Sequence, residues 1–143
     1  MNEIEKSYFH TLEDGISKMP ESQRGIIFRQ CAVNCVKDTV LPILKQRFEI
    51  CAGDLDMFFS SQFDSEYSFQ KVTEKGRSYE FGYPKCFCPL MHSGFANSVT
   101  HCECSRQSIL YILGELFPKK TFHVEILETV LSGGGKCKFR IAV

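Results

Sequence analysis

Phe122-His123-Val124-Glu125-Ile126, then Gly133-Gly134-Gly135, then Lys136-Cys137-Lys138-Phe139-Arg140-Ile141-Ala142-Val143 is the stretch whose reading decides the fold. Phe122, Val124 and Ile126 alternate with Thr121, His123 and Glu125. Cys137, Phe139, Ile141 and Val143 alternate with Lys136, Lys138 and Arg140. A period of two puts each apolar set on one face of a strand. The glycines between them can take positive φ at little steric cost, so the two strands read as a hairpin. Glu125 and Glu128 then meet Lys136, Lys138 and Arg140 as cross-strand ion pairs on a wet face.

Working back from that hairpin, the period changes to that of a helix. Ile109, Ile112, Leu113, Leu116 and Phe117 follow i, i+3, i+4, i+7, i+8, which predicts a helix capped by Ser105 and stopped by Pro118. Tyr67 to Val72 and Ser78 to Tyr83 read as two further strands joined at Glu74-Lys75-Gly76, with Tyr79, Phe81 and Tyr83 on one face. Residues 3–18 place Ile4, Tyr8, Leu12 and Ile16 at helical spacing, ending at Met19-Pro20. A longer helix capped by Ser22 follows, with Ile27, Phe28, Cys31, Cys35, Val36, Val40, Ile43 and Leu44 near the 3.6-residue period. Pro42 is expected to kink it and Gly53 to stop it, with a short amphipathic piece at Leu55 to Phe59. The expected architecture is α+β: an antiparallel sheet of about four strands, with N-terminal helices and one further helix packed on one face.

With 143 residues and no linker, repeat or low-complexity segment, residues 1–143 read as one domain with a single apolar core. Lys plus Arg equals Asp plus Glu at 17 each, so no net field favours nucleic acid or an anionic membrane. Thirteen Phe and no Trp point to an aromatic core or an apolar cavity for a small apolar or mixed-polarity ligand. No apolar run approaches the roughly 18 residues a spanning helix needs. Met1-Asn2-Glu3-Ile4-Glu5-Lys6 lacks the basic-then-apolar order of a secretory signal. A cytoplasmic location is therefore expected, where thiols stay reduced.

The chemistry-bearing residues are cysteines. Four of the eight form two Cys-x-Cys pairs, Cys86 with Cys88 and Cys102 with Cys104, and His92 and His101 lie between the pairs. Cys88 precedes a proline, which favours extended backbone and turns the Cys86 and Cys88 side chains the same way. Cys104 precedes the expected helix cap, where free N–H groups favour a thiolate. Cys86, Cys88, Cys102 and Cys104 could together hold zinc, the default ion for four thiolates, or an iron–sulfur cluster. The alternatives to a metal site are reduced thiols of a tight loop and, after that, a redox or disulfide pair. His92 or His101 could replace one cysteine, or simply hydrogen-bond within the loop. Cys31 and Cys35, one helical turn apart, either pack in the core or add thiols to the same cluster. Cys137 sits on the apolar face of its strand.

The ending from Phe122 to Ile141 resembles the close of the 4-vinyl-reductase-type small-molecule-binding domains and the related trafficking-particle subunits. Those share an acidic strand, a glycine turn and a strand of the form Cys-x-Phe-x-Ile/Val. The resemblance implies an α+β domain, often a homodimer, with an apolar cavity for a small molecule. The double Cys-x-Cys element departs from that pattern. Cys88-Pro89 with the later Cys-rich segment is also similar to amino-thiazoline-carboxylate hydrolases, from which no catalytic residue carries over.

Gly-x-Ser-x-Gly, His-Glu-x-x-His and a dinucleotide fingerprint are all absent. The expected function is a binding or sensing domain with a Cys-rich, zinc-binding site beside an apolar pocket. One alternative is a thiol- or metal-dependent hydrolase, for which Cys104 with His101 or His92 would be nucleophile and base. The other is an interaction module whose cysteines only pack.

Overall fold

The two hairpins join into one sheet. β1 (Phe69–Glu74) and β2 (Ser78–Tyr83) form the first, and β3 (His123–Glu128) and β4 (Cys137–Ala142) the second. In the computed structural model, which describes residues 2–143, the strand order is β1-β2-β4-β3 and every neighbouring pair is antiparallel. The inner strands are therefore β2 and β4, with Tyr79 opposite Ile141, Phe81 opposite Phe139 and Tyr83 opposite Cys137. Tyr79, Phe139 and Ile141 are fully buried. On the other face, Lys71, Glu80, Arg140 and Glu125 lie in register across all four strands, and Glu125 pairs with Arg140. Alternating charge on one side and aliphatic and aromatic residues on the other is why this sheet can face water once only.

The buried face is covered by α6 (Glu103–Leu116), which presents Ile109, Ile112, Leu113 and Leu116 to the core as their spacing predicts. Packed with it are α3 (Val40–Ile50), through Leu44, and α4 (Leu55–Phe58), through Leu55 and Phe58. Phe58, Phe59, Phe117 and Phe48 pack edge to face with centroids near 5 Å, a geometry that adds to their area burial. Eight of the thirteen Phe thus join the core or pack against it.

The N-terminal helices depart from expectation in instructive ways. α1 (Glu3–Ser17) forms, but Ile4, Tyr8 and Leu12 point to solvent, and Phe9 and Glu13 point inward instead. Nothing in the spacing of the exposed stripe distinguishes the two faces, because the inward contact is mostly polar. α2 (Glu21–Val36) starts after Pro20 rather than at a Ser22 cap. It buries Gly25, Phe28, Ala32 and Val36, so Phe28 and Val36 face the core as expected but Cys31 and Cys35 are exposed rather than core. Small residues explain this: a Cβ on Gly25 would lie 2.9 Å from Gln107 Nε2, so α2 meets α6 through Gly25 and Ala32. The expected kinked helix is two helices, broken at residues 37–39. Pro42 lies in the first turn of α3, where its missing N–H has no intrahelical partner to lose.

Gly82 is the tightest glycine in the sheet. An added Cβ would meet the Cys137 carbonyl oxygen at 2.2 Å and the Phe69 ring at 2.4 Å. Gly82→Ala should therefore lower stability by about 1–3 kcal/mol, the usual cost of overpacking. Gly114→Ala, with open space around it in α6, should raise stability by about 0.5–1 kcal/mol. Denaturant midpoints of the two variants check both signs.

Candidate functional site

Between β2 and α6 the chain makes a folded loop that carries both Cys-x-Cys pairs. Pro84 leads out of the sheet toward Cys86 and Cys88, and Cys88 has extended backbone. α5 (Pro89–His92) then forms a single turn with Cys88 as its N-cap and Pro89 at its first position. That short turn is absent from the sequence reading, although proline at the first helical position is its signature. A 3-10 turn from Val99 to Cys102, capped by the Ser98 hydroxyl, runs directly into α6. The helix therefore starts at Glu103, not after Ser105, and Cys104 lies inside its first turn.

α1 holds this loop in place. Glu13 is 2% exposed, and its carboxylate accepts from the Asn97 N–H at 3.2 Å and the Ser98 N–H at 3.3 Å. His10 Nε2 donates to the Gly94 carbonyl at 3.0 Å, and Phe9 packs edge to face on Phe95 at 5.4 Å. Glu13 is a loop-holding residue that the sequence pattern does not reveal. Its only signal is a carboxylate one position away from an apolar stripe that turns out to face water.

The two histidines take different roles. His92 Nε2 donates to the Cys86 carbonyl at 2.6 Å, so this ring staples the loop through that nitrogen. His101 is 9% exposed, between the Phe28 ring at 5.5 Å and the Phe9 ring at 6.2 Å. Its Nδ1 is buried with no hydrogen-bond partner. The imidazole lies beside Cys88.

Seven cysteines from four segments approach one another here. Cys104 lies within electrostatic reach of Cys31 and Cys35 on α2 and of Cys88 and Cys102. Cys102 has Cys137, Cys86 and Cys88 in reach, and Tyr83 has Cys137, Cys35 and Cys104. Cys51 stands apart, buried near Arg47. All eight thiols are free.

Their acidities diverge with burial. Burial pushes Cys104 up to about 12 and Cys102 up to about 11, the latter although the Thr129 hydroxyl favours its thiolate. Cys86 is also raised by burial, against the Cys88 backbone N–H at its sulfur. Cys88 alone goes down. The His101 side chain is the largest cause, and the Met91 and Leu90 backbone N–H groups add to it against desolvation. The expectation that Cys104 is the thiolate is therefore overturned. Its position at a helix start favours the charge, but loss of water outweighs that dipole.

A four-thiolate cage is not preformed by Cys86, Cys88, Cys102 and Cys104. Among the described residues, no three His, Cys, Asp or Glu donors converge closely enough to hold one ion. The apolar space under α6, lined by Leu44, Phe59, Phe81, Tyr83 and Ile109, amounts to about 20 Å³, room for roughly one water. A larger opening of about 710 Å³ runs between α2 and α6, past Glu21, Ile26, Arg29 and Arg106. No helix among the described residues is long and apolar enough to cross a membrane. No protein-family model matches the sequence, and no curated protein or solved structure matches the chain.

Removing the buried Glu13 carboxylate takes the shared acceptor from the Asn97 and Ser98 N–H groups, so Glu13→Ala should cost about 1–3 kcal/mol. Amide hydrogen exchange at Asn97 and Ser98 should accelerate in that variant. Cys102 and Cys104 predict an alkaline weakness. Both are acids raised above the ordinary value of 9.0, so their contribution is whole below that value and lost as pH climbs through about 11 to about 12. Thermal unfolding followed against pH should show this fall, and the double variant Cys102→Ser/Cys104→Ser should flatten it.

Proposed function

We propose that this chain is a thiol-based binding or sensing domain whose responsive element is the cysteine corner rather than an apolar cavity. The observation that carries the reading is the convergence of seven free thiols from α2, the β2–α6 loop, the start of α6 and β4. Core packing alone does not account for it, because Cys31 and Cys35 are exposed and Cys86, Cys88 and Cys104 are only half-buried. The tightly filled aromatic core leaves only about 20 Å³ under α6, which speaks against a ligand held in that core.

Zinc is the ion that Cys86, Cys88, Cys102 and Cys104 would take if the loop closed around it, with an iron–sulfur cluster as the other occupant of such a donor set. Binding would then strip protons from Cys86, Cys102 and Cys104, whose thiols burial keeps neutral.

Metal analysis and thiol counting on protein purified under reducing conditions without a polyhistidine tag test this reading. Less than about a tenth of an equivalent of zinc or iron is expected, with all eight thiols titratable after unfolding. A full equivalent of zinc that masks four thiols would contradict it and make the corner a structural metal site.

A further inference from the structure

The apolar stripe of α1 faces away from the domain. An amphipathic helix ordinarily lays that stripe on the core. In α1 the inward side is Glu13, His10 and Phe9, which hold the loop. Outside, Ile4 is 80% exposed, Tyr8 74% and Leu12 51%, and half-buried Ile16 extends the row at the same spacing of four. Gly15 adjoins the row with nothing within 4 Å of where a Cβ would stand, so a second helix can approach closely.

The charges beside the row say what fits it. At about 3.6 residues per turn, Glu3, Ser7, Asp14 and Lys18 fall along one side of the stripe. Lys18, the C-cap, keeps right-handed helical backbone, and its Nζ is held on that side by Asp14 at 3.2 Å. An identical helix turned end for end, about a two-fold axis near residue 10, sets Ile4 over the partner's Ile16 and Tyr8 over the partner's Leu12. The same rotation brings exposed Glu3 to the partner's Lys18. The two helix dipoles then run in opposite directions. A two-fold contact makes every such pair occur twice. With Glu3, Glu5 and Asp14 against Lys6 and Lys18, α1 has no basic face for an anionic membrane.

We propose that the outward face of α1 is the contact between two copies of this chain, packed antiparallel around Tyr8 and Leu12. Covering the stripe on both copies buries roughly 1,000 Å², the lower bound for a specific interface, so the dimer is weak and concentration-dependent. No cysteine lies in α1, so the dimer and the thiol chemistry stand or fall separately.

Sedimentation of the full chain tests this, with reductant present to prevent links through exposed Cys31 and Cys35. The mass should climb from 16.4 kDa toward twice that value as concentration rises from about 1 to about 100 µM. Tyr8→Lys with Leu12→Lys should weaken association about tenfold or more, with helix content by circular dichroism unchanged. Glu3→Lys and Lys18→Glu should each weaken it alone, because like charges then meet twice. Mixing those two variants should restore association, since both opposite-charge pairs form between the unlike chains. If the double lysine variant does not fold, the charge mixture decides. A chain that stays at 16.4 kDa throughout, or a dimer indifferent to the Tyr8 and Leu12 substitutions, would overturn the proposal. A mixture that associates no better than its components would overturn the antiparallel register.

Discussion

The way α6 lies on the sheet is the constraint from which the rest follows. Ile109, Ile112, Leu113 and Leu116 occupy the same apolar volume as Tyr79, Phe81, Phe139 and Ile141, which fixes the helix over the inner strands. Its first turn is thereby held at the end of the sheet where β2 stops at Tyr83 and β4 begins at Cys137. Cys102 and Cys104 consequently meet Cys137 and Tyr83, and the loop leaving β2 has only that corner to fold over. α2 is fixed in turn, because Gly25 and Ala32 allow it close to α6 and bring Cys31 and Cys35 toward Cys104. Buried Glu103, held by Arg106 Nη2 at 2.8 Å and Gln107 Nε2 at 2.8 Å, anchors the start of the helix, where a negative charge also suits its dipole. Thiol convergence is therefore a consequence of core packing, not a separate device.

Strong periodicity made the sheet and α6 legible. Phe139 and Ile141 alternate with charged residues, and the five-residue apolar set of α6 admits one helical face only. α1 and α2 were legible as helices but not in orientation. Their contacts run through Glu13, Gly25 and Ala32, residue types that carry no hydrophobic signal, while the apolar Ile4, Tyr8 and Ile26 remain outside. Pro42 was legible as a breaker, yet the break falls upstream, since the ring obstructs the turn that precedes it.

At the site, the residues were legible and their chemistry was not. Cys-x-Cys spacing singled out Cys86, Cys88, Cys102 and Cys104, and the structure brings them to one corner with His101. Which of them ionises depends on desolvation, a property of the folded surroundings that no spacing encodes. Cys104 has the helix start and Cys88 has the imidazole. Burial cancels the first advantage and leaves the second. Phe9 and Phe28 contribute by walling in His101, and Glu13 by holding the loop that carries it.

Burial sets the order in which these thiols ionise, and site-resolved alkylation of the native reduced protein across pH measures that order directly. Cys88 should reach its half-maximal rate below the ordinary thiol value of 9.0, and Cys102 and Cys104 only well above it. If Cys104 were alkylated at the same pH as Cys88, or at a lower one, burial would not be the force that decides which thiol of this corner ionises first.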